Sequence, residues 1–202
     1  MNICTAFSRN TFPCEITLKI PISKDARHWQ AIARAYADEY LQPHEVEAEL
    51  NDGVLPAEIT KRNKKRAIEL GLSEIDAPKK YGGRELSMES QVAIWEQLGR
   101  TTNALSWCFS EPQVWMYEAC NEDQIERYIL PMMRGEKKDC YAITEAGPGS
   151  DVAGLEATAT RDGDDYILNG EKWYVTSANL ADFFWFQGRI PEEDEDALFL
   201  VD

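Results

Sequence analysis

The chain has 202 residues, of which 44% are hydrophobic and 28% are charged. This composition is typical of a globular protein with a buried core, and it excludes a largely disordered chain. The net charge of −15 repels nucleic acid and anionic membrane surfaces, so we expect neither as a partner. The five scattered cysteines form no Cys-x-x-Cys pair, which argues against a metal site of that kind and fits a reducing compartment.

Residues 1–22 have no continuous apolar core of the kind found in a secretory signal. No later apolar run approaches the length of a membrane span. We therefore predict a loose N-terminal arm, with an organelle transit peptide as the minor alternative. The expected location is the cytoplasm, or the mitochondrial matrix if the source is a eukaryote.

Helical signals dominate residues 23–138, which we predict to form an all-α domain. From Lys24 to Tyr40, apolar residues recur three and four positions apart, and Ser23 precedes them as a plausible N-cap. Pro56 is predicted to open a second helix, and Gly71 suits its C-terminal end.

Further helices follow in the same region. Ser87 is a plausible N-cap for a third helix, whose predicted buried residues are Val92, Trp95 and Leu98. A fourth helix, predicted over about 103–117, is apolar nearly all round and should lie between neighbours. Asn121 and Gln124 resemble a capping box for a fifth helix, which Pro131 and Gly135 should end.

The hydrophobic period changes at Asp139, and residues 139–202 are predicted to be strands. Asp162-Gly163-Asp164 reads as a turn, and Asn169-Gly170 is a strong hairpin signal between two strands. The last predicted strand runs into Asp202. The sequence therefore predicts an α+β protein in which an all-α domain precedes an incomplete antiparallel β-barrel or sandwich.

Two segments of the predicted β-domain carry candidate ligand contacts. In Tyr141–Gly154 a strand leads into a loop with glycines at 147, 149 and 154, where backbone N–H groups can bind phosphate oxygens. The loop matches neither the P-loop pattern nor the dinucleotide fingerprint, and a simple turn remains the alternative. In Asn169–Ser177, an aromatic side chain could lie against a flat ring or could pack in the core.

Taken together, these two segments resemble the acyl-CoA dehydrogenase family. Its middle β-domain begins with a strand ending in Thr-Glu, then a Gly-x-Gly-Ser-Asp loop, and later an Asn-Gly pair followed by Lys, two aromatic residues, an aliphatic residue and Thr. Further upstream, Leu70-Gly71-Leu72, Tyr81-Gly82-Gly83 and Asn121–Pro131 resemble the family's N-terminal helical domain. The resemblance covers most of the chain from about Lys24 onward.

The resemblance implies an FAD site with specific residues. Positions matching Tyr141, Ile143 and Thr144 contact the isoalloxazine in that family. Gly149 and Ser150 match positions that meet the pyrophosphate and the CoA arm, so Ser150 is also a predicted substrate contact. Those matching Tyr174 and Thr176 lie beside the flavin ring, although the family more often has Trp where Tyr174 stands. We expect residues from Trp107 to Trp115 to pack in the core, although the same region helps to line the acyl pocket in that family.

The implied reaction is the dehydrogenation of an acyl-CoA to the 2,3-enoyl-CoA, as in fatty acid β-oxidation. A base removes the α-proton and flavin N5 takes the β-hydride. The family's base is a glutamate of the C-terminal helical domain, which we expect to be missing here. Glu145 does not occupy the base position, and we expect it to be a structural acid.

The resemblance also implies partners and leaves alternatives open. The implied partners are an electron acceptor such as an electron-transfer flavoprotein and further subunits of a homo-oligomer, whose C-terminal helices complete the FAD site. Relatives that are acyl-CoA oxidases or nitroalkane oxidases fit the same residues. A chain without catalysis, which binds a ligand or complements a separate C-terminal chain, is the alternative from another class.

Overall fold

The computed structural model describes residues 21–102, 105 and 112–202, and its first half is helical. Helix α1 (Lys24–Tyr36) continues into a π-helical turn (Ala37–Leu41) and a 3-10 turn (Gln42–His44). The other helices are α2 (Glu45–Glu49), α3 (Ala57–Glu69), α4 (Met88–Leu98), α5 (Val114–Ala119), α6 (Glu122–Gln124) and α7 (Leu130–Met133). None of the helices in these ranges is long and apolar enough to cross a bilayer.

Side-chain caps begin three of these helices, as the sequence predicted. The Ser23 hydroxyl accepts a hydrogen bond from the Ala26 N–H, and Ser87 caps α4 in the same way. Asn121 and Gln124 form a reciprocal capping box at the start of α6. Gly71 follows α3 with a φ of +74°, a left-handed conformation that favours glycine at a helix end.

The buried face of α4 differs from the predicted one. Val92 and Trp95 are 59% and 43% exposed, whereas Leu98 is buried as predicted. The residues that α4 buries are Ser90, Ala93, Ile94, Gln97 and Leu98. Small residues on this face allow α4 to pack closely on α1, where the Ser90 hydroxyl donates to Asp25 at 2.9 Å. Apolar periodicity thus predicted the helix correctly but misplaced its buried face. The small residues of α4 determine which side packs against α1.

Of two further helix predictions, one lies mostly outside the described residues and one is wrong about Pro131 as a helix end. The fourth predicted helix, 103–117, lies mostly outside the described residues, which show α5 at its far end. Pro131 does not end the fifth helix, because α7 continues through it after a π-helical turn at Ile125–Ile129. Gly135 does follow the end of α7, with a φ of +71°, as the sequence predicted. A proline in the first turn of a helical segment is tolerated there, since its missing N–H is not needed.

The second half of the described chain forms one mixed five-stranded sheet. Its strands are β1 (Asp139–Ala142), β2 (Thr158–Asp162), β3 (Asp165–Asn169), β4 (Phe183–Ile190) and β5 (Glu195–Val201). β4 is central, because it pairs in parallel with β1 and β2 and antiparallel with β5. The predicted class, a helical domain followed by an unclosed sheet, is confirmed, but the sheet is not wholly antiparallel. A long connection between β1 and β4 allows the two strands to run in the same direction.

The hairpin turn lies at Gly163-Asp164 and not at Asn169-Gly170. β2 and β3 are antiparallel with Asp162 opposite Asp165, as the first turn signal predicted. The residues after Gly170 do not return along β3. Instead, the Trp173 N–H donates to the Thr144 carbonyl at 2.8 Å, so this segment runs beside the end of β1.

The sheet packs directly on the helices through β4. Phe183 and Trp185 of β4 share a buried cluster with Met116 of α5 and with Tyr128 and Ile129. The Tyr128 and Phe183 rings lie 5.0 Å apart. This contact fixes the position of the sheet, and therefore of the loop after β1, relative to the helices.

Candidate functional site

The loop that follows β1 is exposed along most of its length. Tyr141 on β1 is 38% exposed, and residues 144, 146, 147 and 149–154 are also exposed. A Cβ atom added at Gly147 or Gly149 would meet no atom within 4 Å, and Gly149 has a φ of +52°. The loop therefore presents glycine backbone to open space, as a loop that receives a ligand requires.

The structure brings the two predicted segments together. The backbone hydrogen bond from Trp173 to Thr144 places residues 172–176 next to the end of β1. Tyr174 follows with a φ of +53° and a side chain that is 84% exposed. A left-handed conformation is rare for a bulky residue, and such residues cluster at functional sites. Thr176 is exposed, and Ile143 is partly buried.

A buried ion pair lies at the junction of these segments. The Lys172 ammonium is 2.6 Å from Oε1 of Glu145, and the two side chains are only 4% and 8% exposed. Lys172 also donates to the Ile143 carbonyl at 3.0 Å. Its ammonium lies 5.1 Å from the centre of the Phe186 ring.

The Glu145 carboxylate also accepts two backbone hydrogen bonds. The N–H groups of Glu156 and Ala157 donate to it at 2.7 and 3.0 Å. Burial alone would raise the pKa of Glu145, but the bonds from Lys172 and from the two N–H groups together lower it. The lowered pKa favours the ionised form of Glu145, and these contacts are those of a structural acid. Lys172 was not singled out in the sequence, although it is the only cationic residue in the second segment.

Aromatic residues form a wall beside Tyr141. Trp115 of α5 lies 6.3 Å from the Tyr141 ring and 4.8 Å from the Trp185 ring, measured between centroids. The Trp185 indole donates to Asp139 at 3.1 Å. Burial raises the pKa of Tyr141, and the negative charge of Asp139 raises it further. Trp107, the other tryptophan of this region, lies outside the described residues.

A cavity of about 420 Å³ lies between this wall and the outer strand β5. Its lining residues are Trp115, Ala119, Cys120, Gln124, Trp185, Gln187, Asp196, Ala197, Leu198 and Leu200. The cavity lies on the face of the sheet that also packs on the helices. None of the seven residues predicted to hold FAD lines it.

Family models match nearly all of the described chain. The model for the acyl-CoA dehydrogenase N-terminal domain matches residues 23–136. The model for the middle domain of the same family matches residues 140–202. The chain belongs to the acyl-CoA dehydrogenase family. This confirms the resemblance seen in the sequence.

Two curated relatives illustrate the range of this family. The chain is 33% identical over 155 residues to a 3-(aryl)acrylate reductase of Clostridium sporogenes. It is 34% identical over 155 residues to subunit CarC of the caffeyl-CoA reductase–Etf complex of Acetobacterium woodii. Each alignment covers 75% of this chain but only 40% of the relative, so the chain spans less than half the length of these proteins.

Solved structures of family members share the fold. A glutaryl-CoA dehydrogenase of Mycobacterium smegmatis in complex with FADH2 superimposes with a TM-score of 0.75 at 27% identity, over 89% of this chain and 46% of its own. An acyl-CoA dehydrogenase of Geobacillus kaustophilus gives 0.73 at 25% identity, over 90% and 48%. The helical and sheet parts of this chain thus have the relative arrangement found in the family.

Proposed function

We propose that this chain provides part of the FAD and acyl-CoA site of an oxidoreductase that dehydrogenates an acyl-CoA thioester between its α- and β-carbons. The observation that carries the proposal is the hydrogen bond between Trp173 and Thr144, because it joins the two segments to which the family resemblance assigns flavin contacts. The open glycine loop and the exposed Tyr174 ring fit a large ligand with phosphates and a flat ring system.

The proposed contacts follow the sequence assignment. On the isoalloxazine side we assign Tyr141, Ile143, Thr144, Tyr174 and Thr176. The chemistry that FAD supplies when bound is the acceptance of a hydride from the β-carbon. The exposed ring of Tyr174 is available to cover one side of the flat ring system and keep water away from it.

Gly149 and Ser150 are assigned to the pyrophosphate, and Ser150 also to the CoA arm. No lysine or arginine occurs between Cys140 and Thr160, so these contacts use backbone N–H groups and a hydroxyl. The cationic groups that balance the phosphates then come from outside this segment. A neighbouring subunit of a homo-oligomer or a complementing C-terminal chain fits this need.

We assign no residue of this chain as the base that removes the α-proton. Glu145 is unsuited to it because its carboxylate is buried and accepts bonds from Lys172, Glu156 and Ala157. A general base must reach the substrate proton with a free lone pair. From the family resemblance, we propose that the base belongs to a C-terminal helical domain and not to these 202 residues.

The names of the two curated relatives favour the reverse reaction, the reduction of an enoyl-CoA, as a second candidate function. Both are reductases, and one is a subunit of a reductase–Etf complex. Reduction of an enoyl-CoA acts on the same carbon–carbon bond with the hydride moving the other way. For either direction, we propose an electron-transfer flavoprotein as the redox partner.

A titration of the ¹⁵N-labelled chain with FAD tests the proposal. We expect amide shifts at 141–150 and 173–177, and unchanged amides in α3, whose exposed Lys65 serves as an internal reference. Addition of an acyl-CoA should then move Ser150 further. Shifts confined to other parts of the chain, or none at millimolar FAD, would contradict the proposal.

A further inference from the structure

The ion pair between Lys172 and Glu145 lies beneath the proposed FAD contacts and coincides with none of them. We call these two residues the Glu145–Lys172 clamp. Removing two charges from water is unfavourable unless both partners are well hydrogen-bonded. Here the ammonium has two oxygen partners, Glu145 Oε1 and the Ile143 carbonyl. The carboxylate has three donors in total, since Glu156 and Ala157 also bind it.

The clamp joins three separate stretches of chain. Lys172 holds the end of β1 through Ile143 and Glu145, 29 and 27 positions earlier in the sequence. Glu145 in turn holds the residues just before β2 through two backbone N–H groups. The exposed loop 146–154 is therefore closed at its base by one carboxylate. The proposed FAD contacts at 141–144, 149–150 and 174–176 all lie within about five residues of Glu145 or Lys172 in the sequence.

In other proteins, apolar side chains of similar size often replace a buried ion pair without loss of stability. What an ion pair adds is direction, because each hydrogen bond fixes the distance and angle between two particular atoms. Direction matters most where backbone atoms must meet a ligand within a fraction of an ångström. The buried position and the complete hydrogen bonding of the clamp thus fit a role in geometry better than a role in stability.

The conformation of Tyr174 points the same way. Its φ of +53° is unfavourable for a tyrosine, and its exposed side chain gains little packing in return. The neighbouring backbone must therefore hold it in place. On its C-terminal side, the Val175 carbonyl accepts from the Ala178 N–H at 3.1 Å; on its N-terminal side, the restraints are the Trp173–Thr144 hydrogen bond and, one residue further, the side chain of Lys172.

We propose that Lys172 is a positioning residue, which acts through Glu145 to set the loop of Gly149 and Ser150 against the segment of Tyr174 and Thr176. The inference rests on the proposed FAD site. Without Lys172, the loop remains attached to Glu145 through Glu156 and Ala157, but residues 172–176 lose their side-chain anchor. The Trp173–Thr144 hydrogen bond still joins the two halves of the site, but they can move more freely against each other, and the ligand must order them on binding.

The test compares Lys172→Met with Lys65→Met in the full 202-residue chain. Both variants remove one positive charge, but Lys65 lies on the exposed side of α3 with its side chain 78% exposed. Two quantities are measured: the dissociation constant for FAD from flavin fluorescence, and amide hydrogen exchange residue by residue. Glu145→Gln serves as a milder second variant because it keeps the shape and some hydrogen bonds. Lys172→Arg tests whether a cation restores the function.

For Lys172→Met we expect FAD binding to weaken roughly tenfold and the Trp173 amide to exchange roughly tenfold faster. The amides of Ile94 and Leu98 in α4 should be accelerated far less than that of Trp173, and Lys65→Met should match the wild type. Glu145→Gln should give a smaller effect of the same kind, and Lys172→Arg should recover part of the affinity.

Other outcomes overturn the inference. If Lys172→Met binds FAD as tightly as the wild type, the clamp does not position the site. If all amides exchange faster to the same extent in both Lys172→Met and Glu145→Gln, the pair only stabilises the fold. If the wild type itself does not bind FAD, the proposed function fails. The exchange rate of the Trp173 amide in Lys172→Met, compared with the wild type, then decides whether the clamp orders this segment.

Discussion

Replacing Gly170 with alanine should disrupt the fold at the entrance to the site. Gly170 has a φ of +152°, and a Cβ atom there would lie 2.6 Å from the Cβ and 2.8 Å from the Cα of Ala157. The backbone conformation costs an alanine roughly 1–3 kcal/mol. Forcing the backbone before β2 to move away costs a further 1–3 kcal/mol or so, as overpacking does elsewhere. We therefore expect Gly170→Ala to lower the free energy of unfolding by about 4 kcal/mol.

Gly163→Ala is the matched control. Gly163 has a φ of +64°, and an added Cβ would meet no atom within 4 Å. The left-handed backbone conformation is then the only source of strain, and we expect Gly163→Ala to lower the free energy of unfolding by about 1 kcal/mol. A third variant, Ala157→Gly in the Gly170→Ala background, removes the closest contact and should recover part of the loss.

Urea denaturation followed by tryptophan fluorescence measures all three variants on one scale. The midpoint should fall far more for Gly170→Ala than for Gly163→Ala. Equal losses in the two variants, or no recovery in the double variant, would refute the reasoning. In that case Gly170 would not be pressed against Ala157 in solution.

Two further predictions concern pH and the packing of α4. Because its hydrogen bonds outweigh burial and lower the pKa of Glu145 below its ordinary 4.5, this group stabilises the fold above that value and loses its effect as the pH falls through the lower folded pKa. The wild type should thus lose more free energy of unfolding than Glu145→Gln between about pH 6 and about pH 3, and parallel profiles would contradict this. Ile94→Ala should cost about 2–5 kcal/mol in urea melts, and Val92→Ala less than about 0.5 kcal/mol. Similar costs for the two variants would contradict the burial seen in the structure and would favour the buried face that apolar periodicity predicted.

The sequence predicts best those features that depend on neighbouring residues. Ser23, Ser87 and the Asn121 capping box are local devices, and all three appear in the structure. The face of α4 is different, because it depends on how closely α1 approaches. Small residues such as Ala93 decide that approach, and they carry little weight in a search for apolar periodicity.

The sheet shows the same limit on a larger scale. The turn at Gly163 was predicted, since both strands lie next to it in the sequence. The stronger hairpin signal at Asn169-Gly170 was overridden, because the end of β1 offers Trp173 a hydrogen-bond partner. Strand direction could not be predicted either, as the pairing of β4 with β1 depends on a long connection.

For the candidate site, the sequence predicted which two segments matter but not what joins them. Thr144 and Tyr174 were singled out through the family motif. Lys172 belongs to the same motif, yet nothing local shows that its ammonium turns inward to Glu145. Opposite charges in two segments assigned to one ligand are a signal that could have revealed the pair.

The central place of β4 in the sheet has a consequence for how the chain folds. β1 and β2 precede β4 in the sequence, yet both pair with it. The β2–β3 and β4–β5 hairpins involve only near neighbours and can form early, whereas β1 must wait until β4 has arrived. We therefore expect a refolding chain to acquire its helices and these two hairpins first. The end of β1, where the ligand loop begins, should be among the last parts to gain protection.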